Sequence, residues 1–125
     1  MTETITVTLN GEPKEILMSM GLLNELSAKL GDVDAIPELS VNAELRESIM
    51  ISALADRDNR GKLVDPEINL FSLDISTEDT LRLLDWVGEH VADFFLKSMA
   101  QTKSLFEDRQ VQFRSLMPTS PGGED

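Results

Sequence analysis

Cysteine is absent from the 125 residues. No disulfide framework, thiolate nucleophile or zinc finger is therefore available. Histidine occurs once, as His90, with Trp86 one turn before it and Asp93 nearly one turn after. A metal centre needs more ligands than these helical spacings offer, and His90 has no cysteine or serine partner for nucleophilic chemistry. Gly-rich phosphate loops are missing as well. The expectation is a protein that is not an enzyme and carries no cofactor. No apolar run approaches the roughly 20 residues that span a bilayer, and no secretory leader pattern precedes Thr4. This leads to the expectation of a soluble cytosolic protein with no membrane partner. Basic side chains are scarce, 11 against 23 acidic ones, for a net charge of −12. Nucleic acids and anionic lipids bind basic footprints, so neither is expected as a partner. The acidity itself has two readings, solubility or mimicry of the DNA phosphate backbone by an inhibitor of a DNA-binding protein.

What the sequence does have is one dominant helical pattern, from Ser76 to about Leu116. Leu81, Leu84, Val87, Val91, Phe94, Phe95 and Met99 recur at steps of three and four, which places them on one face. Asp85, Glu89, Asp93 and Lys97 form the opposite line. Ser76 or Thr77 can accept the orphan N–H bonds at the start, and Glu78 and Asp79 suit the positive end of the helix dipole. Leu105, Phe106, Phe113 and Leu116 continue the stripe beyond Met99, for roughly 60 Å of helix at about 1.5 Å per residue. That length exceeds the core a chain of this size builds, so these four residues are candidates for covering by a partner. Trp86 lies off the stripe, beside Arg82 and His90. It reads either as a partner anchor or as a core residue.

Upstream, Thr4–Leu9 alternates strictly, with Ile5, Val7 and Leu9 on one side and threonines on the other. Asn10-Gly11 is a strong two-residue hairpin signal, because both residues tolerate positive φ. Glu12 to Met18 would return as the second strand, pairing Ile5 with Ile16, Val7 with Lys14 and Leu9 with Glu12. Ser19 can cap a helix that buries Leu22, Leu23, Leu26 and Leu30 and stops at Gly31. Asp32 to Ser40, punctuated by Pro37, reads as a loop. Asn42 opens a second helix to about Ala55. Its Ile49, Met50, Ile51 and Leu54 are apolar almost all the way round, so it is either central to the core or covered by another chain. The second alternative predicts self-association through this helix and the long one. Ile68 to Ile75 fits either an extended segment or a helical turn. The fold class expected is mainly α with a small N-terminal β-hairpin (α+β). One helical domain would occupy residues 1–117, with the hairpin at about 3–18 and a disordered acidic tail at 118–125.

The stretch Asp56-Arg-Asp-Asn-Arg-Gly-Lys-Leu-Val-Asp-Pro-Glu67 has the form of a calcium-binding EF-hand loop. Asp56, Asp58 and Glu67 stand at ligand positions one, three and twelve, with Gly61 at the sharp turn. Arg60, however, puts a positive charge where the fifth position supplies an oxygen, and Pro66 constrains the exit helix. No specific calcium site is therefore expected. The alternatives are a calcium-responsive interaction module, or a solvated connection that turns at Gly61.

Taken together, Thr6-Val-Thr-Leu-Asn-Gly11, Met20-Gly-Leu-Leu-Asn-Glu-Leu26, Ser52-Ala-Leu-Ala-Asp-Arg57 and Asp85-Trp-Val-Gly-Glu-His-Val-Ala-Asp-Phe-Phe-Leu96 occur in an order that resembles the tail assembly chaperones of long-tailed, siphovirus-type bacteriophages. The resemblance covers Ile5 to about Met99. It implies a non-enzymatic, mostly helical protein of the host cytoplasm that is absent from the mature virion. Its partners would be the tape measure protein and tail tube subunits during tail morphogenesis. It also implies a longer frameshifted form, for which the codons of Gly122-Gly123 offer a slippery run.

Overall fold

The computed structural model describes the backbone of residues 1–58, 63–65 and 72–116, and the side chains of residues 1–58 and 72–109. The expected tail at 118–125 and the first half of Ile68 to Ile75, residues 68–71, lie outside these residues. By internal contacts, Met1–Phe95 forms one unit and Leu96–Asp125 a second.

The N-terminal hairpin has the expected register. Strand β1 (Thr4–Leu9) pairs antiparallel with β2 (Glu12–Leu17), placing Ile5 opposite Ile16, Val7 opposite Lys14 and Leu9 opposite Glu12. Asn10 and Gly11 make the turn at φ 54° and 81°, the left-handed pair that matches the twist of the flanking strands. Val7 and Ile16 are buried. Lys14 shares their face, lays its stem along them and carries its ammonium out to the Asp56 carboxylate at 2.6 Å.

Local signals set the next helices. In α1 (Met20–Leu30) the Ser19 hydroxyl accepts the Leu22 amide, and Gly31 ends the helix at φ 86°. In α2 (Ala43–Leu54) the Asn42 side chain accepts the Leu45 amide. Between them the sequence reading needs a correction. Instead of a loop, Val33–Ser40 is a 3₁₀ helix capped by Asp32. Pro37 fixes a φ that such a helix accepts, and Arg46 donates to the terminal carbonyls of Leu39 and Ser40 at 3.2 Å each.

A second correction concerns α2. Ile49, Met50, Ala53 and Leu54 are buried and Ile51 is half-buried, against α1 residues Leu22, Leu26 and Leu30 and the α3 (Thr77–Leu116) residues Leu83, Val87 and Val91. The chain's own core covers this helix, so its apolar circumference gives no reason for self-association.

The third correction is the rotation of α3. The sequence stripe includes Leu81 and Met99, yet these are 62% and 57% exposed, while Leu83, outside the stripe, is fully buried. For Leu81 the cause lies on the helix's polar flank, which runs along the outer edge of β1. The Thr8 amide donates to Asp79 Oδ2 at 2.9 Å. Arg82 Nη1 donates to Asp79 Oδ1 at 2.7 Å and to the Thr6 carbonyl at 3.4 Å. Trp86 Nε1 and His90 Nε2 both donate to the Thr2 carbonyl, at 2.9 and 2.6 Å. The periods agree. From Arg82 to His90 a helix rises about 12 Å, and from Thr6 to Thr2 a strand covers about 13 Å. At the hairpin tip, the Asn10 amide donates to the Asp74 carbonyl, and the Asn10 side chain accepts the Asp74 amide. The segment that leads into α3 is thereby fixed to the turn.

Gly88 lies where α3 meets the 3₁₀ helix, and a Cβ there would stand 3.2 Å from Ile36 Cγ2. Gly88→Leu should overpack this contact and lower stability by about 1–3 kcal/mol. Adding Ile36→Ala should recover part of the loss. Thermal unfolding of the two single variants and the double variant measures this coupling, and simple additivity would show that the Ile36 contact is not responsible.

Candidate functional site

The EF-hand-like stretch opens as a short antiparallel pair, β3 (Asp56–Arg57) with β4 (Leu63–Asp65), in which Asp56 stands opposite Asp65. The Asp56 carboxylate is engaged by Lys14. Glu67, the twelfth-position ligand, lies outside the described residues. Asp58 is exposed and has partners of its own. Among the described residues, no group of three carboxylate or imidazole side chains could hold a metal ion.

Beside this pair, Arg57 anchors three elements. Its Nη2 donates to Glu25 Oε2 of α1 at 2.8 Å and to the Ser52 carbonyl in the last turn of α2 at 2.9 Å. A cation there complements the negative end of that helix. Burial pushes the Glu25 carboxyl up, but the neighbouring Ser52 hydroxyl, Arg57 guanidinium and Lys29 ammonium outweigh it and hold Glu25 below its ordinary value. At the β1 edge, the Thr8 amide and then the Arg82 guanidinium likewise lower the Asp79 carboxyl.

Trp86 takes the core position. It is 5% exposed, its ring meets His90 edge-on at 5.1 Å, and its N–H is held by Thr2. This corrects its candidacy as a partner anchor. His90 in turn is bound to a backbone carbonyl.

Besides Met1, Leu17, Met20 and Val41, which are exposed, apolar surface is open to solvent in two places among the described residues. The first is a groove of about 620 Å³ where the end of the 3₁₀ helix meets the first turns of α3. Leu39, Leu81 and Leu84 line it, with Arg46, Glu78 and Asp85 around them. Sequence reasoning missed this site, because Leu81 read as core and Leu39 as loop. The line Asp79, Arg82, Trp86, His90, with its steps of three and four, was the available signal that a strand occupies that flank and turns Leu81 outward. The second place is α3 beyond Phe95, where Leu96, Met99, Leu105 and Phe106 are 57%, 57%, 55% and 60% exposed. Of the four residues proposed from sequence for this region, Leu105 and Phe106 are thus exposed. Phe113 and Leu116 fall on helical backbone, but their side chains lie outside the described residues. No described helix is long and apolar enough to cross a membrane. No protein family, curated protein or solved structure matches the chain.

The two lowered carboxyls give a pH dependence with a defined sign. Each has a folded value below its unfolded one, so its stabilisation is present above the ordinary carboxylate range and is lost as pH falls through the lowered value. Glu25→Gln should cost at most about 1.5–3 kcal/mol at neutral pH, the range for a hydrogen bond to a charged group. Its stability should also fall less steeply with acid than that of the unmodified chain. Urea unfolding from pH 7 down to 3 measures both effects, and parallel curves would show that the Arg57 anchor contributes nothing to acid sensitivity.

Proposed function

We propose that this protein is a non-enzymatic assembly chaperone of phage tail morphogenesis, and that it shields apolar helical surface of a tape measure protein with the distal part of α3. The observation that carries this reading is the exposure of Leu96, Met99, Leu105 and Phe106, each more than half open to solvent on one helix. Each such side chain forfeits part of the roughly 1.5–3 kcal/mol that full burial contributes, and a client helix laid against them recovers that energy by helix-in-groove recognition. The resemblance of the sequence patterns from Ile5 to about Met99 to tail assembly chaperones implies the client, a long helical protein that presents many such faces, and the tail tube subunits as a further partner. The surplus of acidic residues keeps such a complex soluble. The chain acts in the host cytoplasm and leaves before the virion is complete.

Met99→Asp combined with Phe106→Asp tests the reading. Both positions are exposed, so the helical spectrum and thermal midpoint should stay within experimental error of the unmodified chain. Co-expression with a tape measure fragment should then yield insoluble client, where the unmodified chain keeps it soluble. A folded double variant that still solubilises the client would move the binding site away from this segment.

A further inference from the structure

We propose that the segment Leu96 to Arg109 docks, in a second copy of this chain, on the groove lined by Leu39, Leu81 and Leu84. Charge is distributed unevenly along the sequence. Residues 1–95 contain 19 acidic and seven basic side chains. Residues 96–116 contain the basic Lys97, Lys103, Arg109 and Arg114 against only Glu107 and Asp108. The described basic side chains of the first stretch are engaged within the chain. Lys14 is bound to Asp56, Lys29 to the Ser48 carbonyl, Arg46 to the Leu39 and Ser40 carbonyls, Arg57 to Glu25, and Arg82 to Asp79. Residues 1–95 thus carry a net surplus of acid, while the helical segment beyond Phe95 is basic; Arg46 and Arg82, which also line the groove, are turned to the Leu39 and Ser40 carbonyls and to Asp79.

The complementarity extends to residue order. On the groove side, Glu78, Leu81 and Asp85 are exposed at helical steps of three and four, acid–apolar–acid. On the segment, Lys103, Phe106 and Arg109 are exposed at steps of three, base–apolar–base. Laid in opposite directions, Glu78 meets Arg109, Leu81 meets Phe106 and Asp85 meets Lys103. This is the pairing that specifies antiparallel helix partners, apolar contact in the middle and opposite charges on the flanks. Leu39 and Leu84 deepen the apolar floor for Phe106. Leu96, Met99, Leu105 and Phe106 are all exposed, so this segment is open to a second copy. Every copy carries both surfaces in equal amount. The contact needs no client and holds whether or not the chaperone reading does.

Light scattering on the full chain alone, at high micromolar concentration, should give a mass above that of one chain. That mass should fall toward one chain at about 1 M salt, where screening reduces the reach of charge to about 3 Å. Glu78→Lys with Asp85→Lys should be a single chain by itself, and so should Lys103→Glu with Arg109→Glu. Mixing the two variants should restore assembly, because each then offers the other an opposite charge. A single-chain mass for the unmodified protein at every salt concentration would overturn the proposal. So would a reversed variant that assembles as the unmodified chain does, or a mixture that stays apart. Circular dichroism monitors the fold of each variant. Should a double reversal lose helix, the single changes Asp85→Lys and Lys103→Glu, both at exposed positions inside α3, allow the same mixing experiment.

Discussion

The arrangement of Met1–Phe95 depends on the contact between one edge of β1 and one line of α3. A two-stranded hairpin is marginal in water, and its free edge presents backbone groups that need partners. Asp79, Arg82, Trp86 and His90 supply them, at Thr8, Thr6 and Thr2. A polar line on a helix thus functions as a third strand would, by saturating an edge. Because those side chains belong to α3, satisfying the edge also fixes the rotation of the helix. Leu83, Val87 and Val91 then point into the core, and Leu81 turns outward to form the groove wall.

This accounts for what the sequence disclosed and what it concealed. The Asn10-Gly11 turn, the caps at Ser19, Asn42 and Ser76 and the stop at Gly31 are decided within a few residues, and their chemistry is local. The mainly α fold with its hairpin and long helix follows from such signals. The buried face of α3 was misjudged at its edge, at Leu81 and Leu83, because periodicity locates an apolar stripe but not the neighbour that covers its flank. The 3₁₀ helix was concealed by Pro37, which excludes an α-helix interior but not this tighter turn. Of the candidate partner residues, exposure at Leu105 and Phe106 was legible from stripe length alone. Burial of Trp86 was not, since it required knowing that Thr2 lies across from it.

Charged groups in this chain divide by task. Asp32, Glu25, Asp56 and Asp79 are structural: they cap, anchor or cover edges, and each has a donor within the chain. The remaining carboxylates give the first 95 residues their negative field. Glu25 and Asp79, held below their ordinary values, lose their stabilisation in acid, whereas the outward surplus repels itself and loses that repulsion there. The two groups oppose one another as pH falls, so net charge alone is a poor guide to the acid stability of this protein.

Trp86 is the chain's only tryptophan, and it lies where strand edge, helix and N-terminal backbone converge. The protein therefore carries a built-in fluorophore at the junction on which its first 95 residues depend. Indole emission reports whether the hairpin remains seated on α3, and the imidazole packed against the ring is a neighbour that can quench it. The indole's partners, Thr2 and His90, both lie within Met1–Phe95, whereas ellipticity also counts the helix beyond Phe95. Two optical signals from the unlabelled chain thus follow two different parts of it.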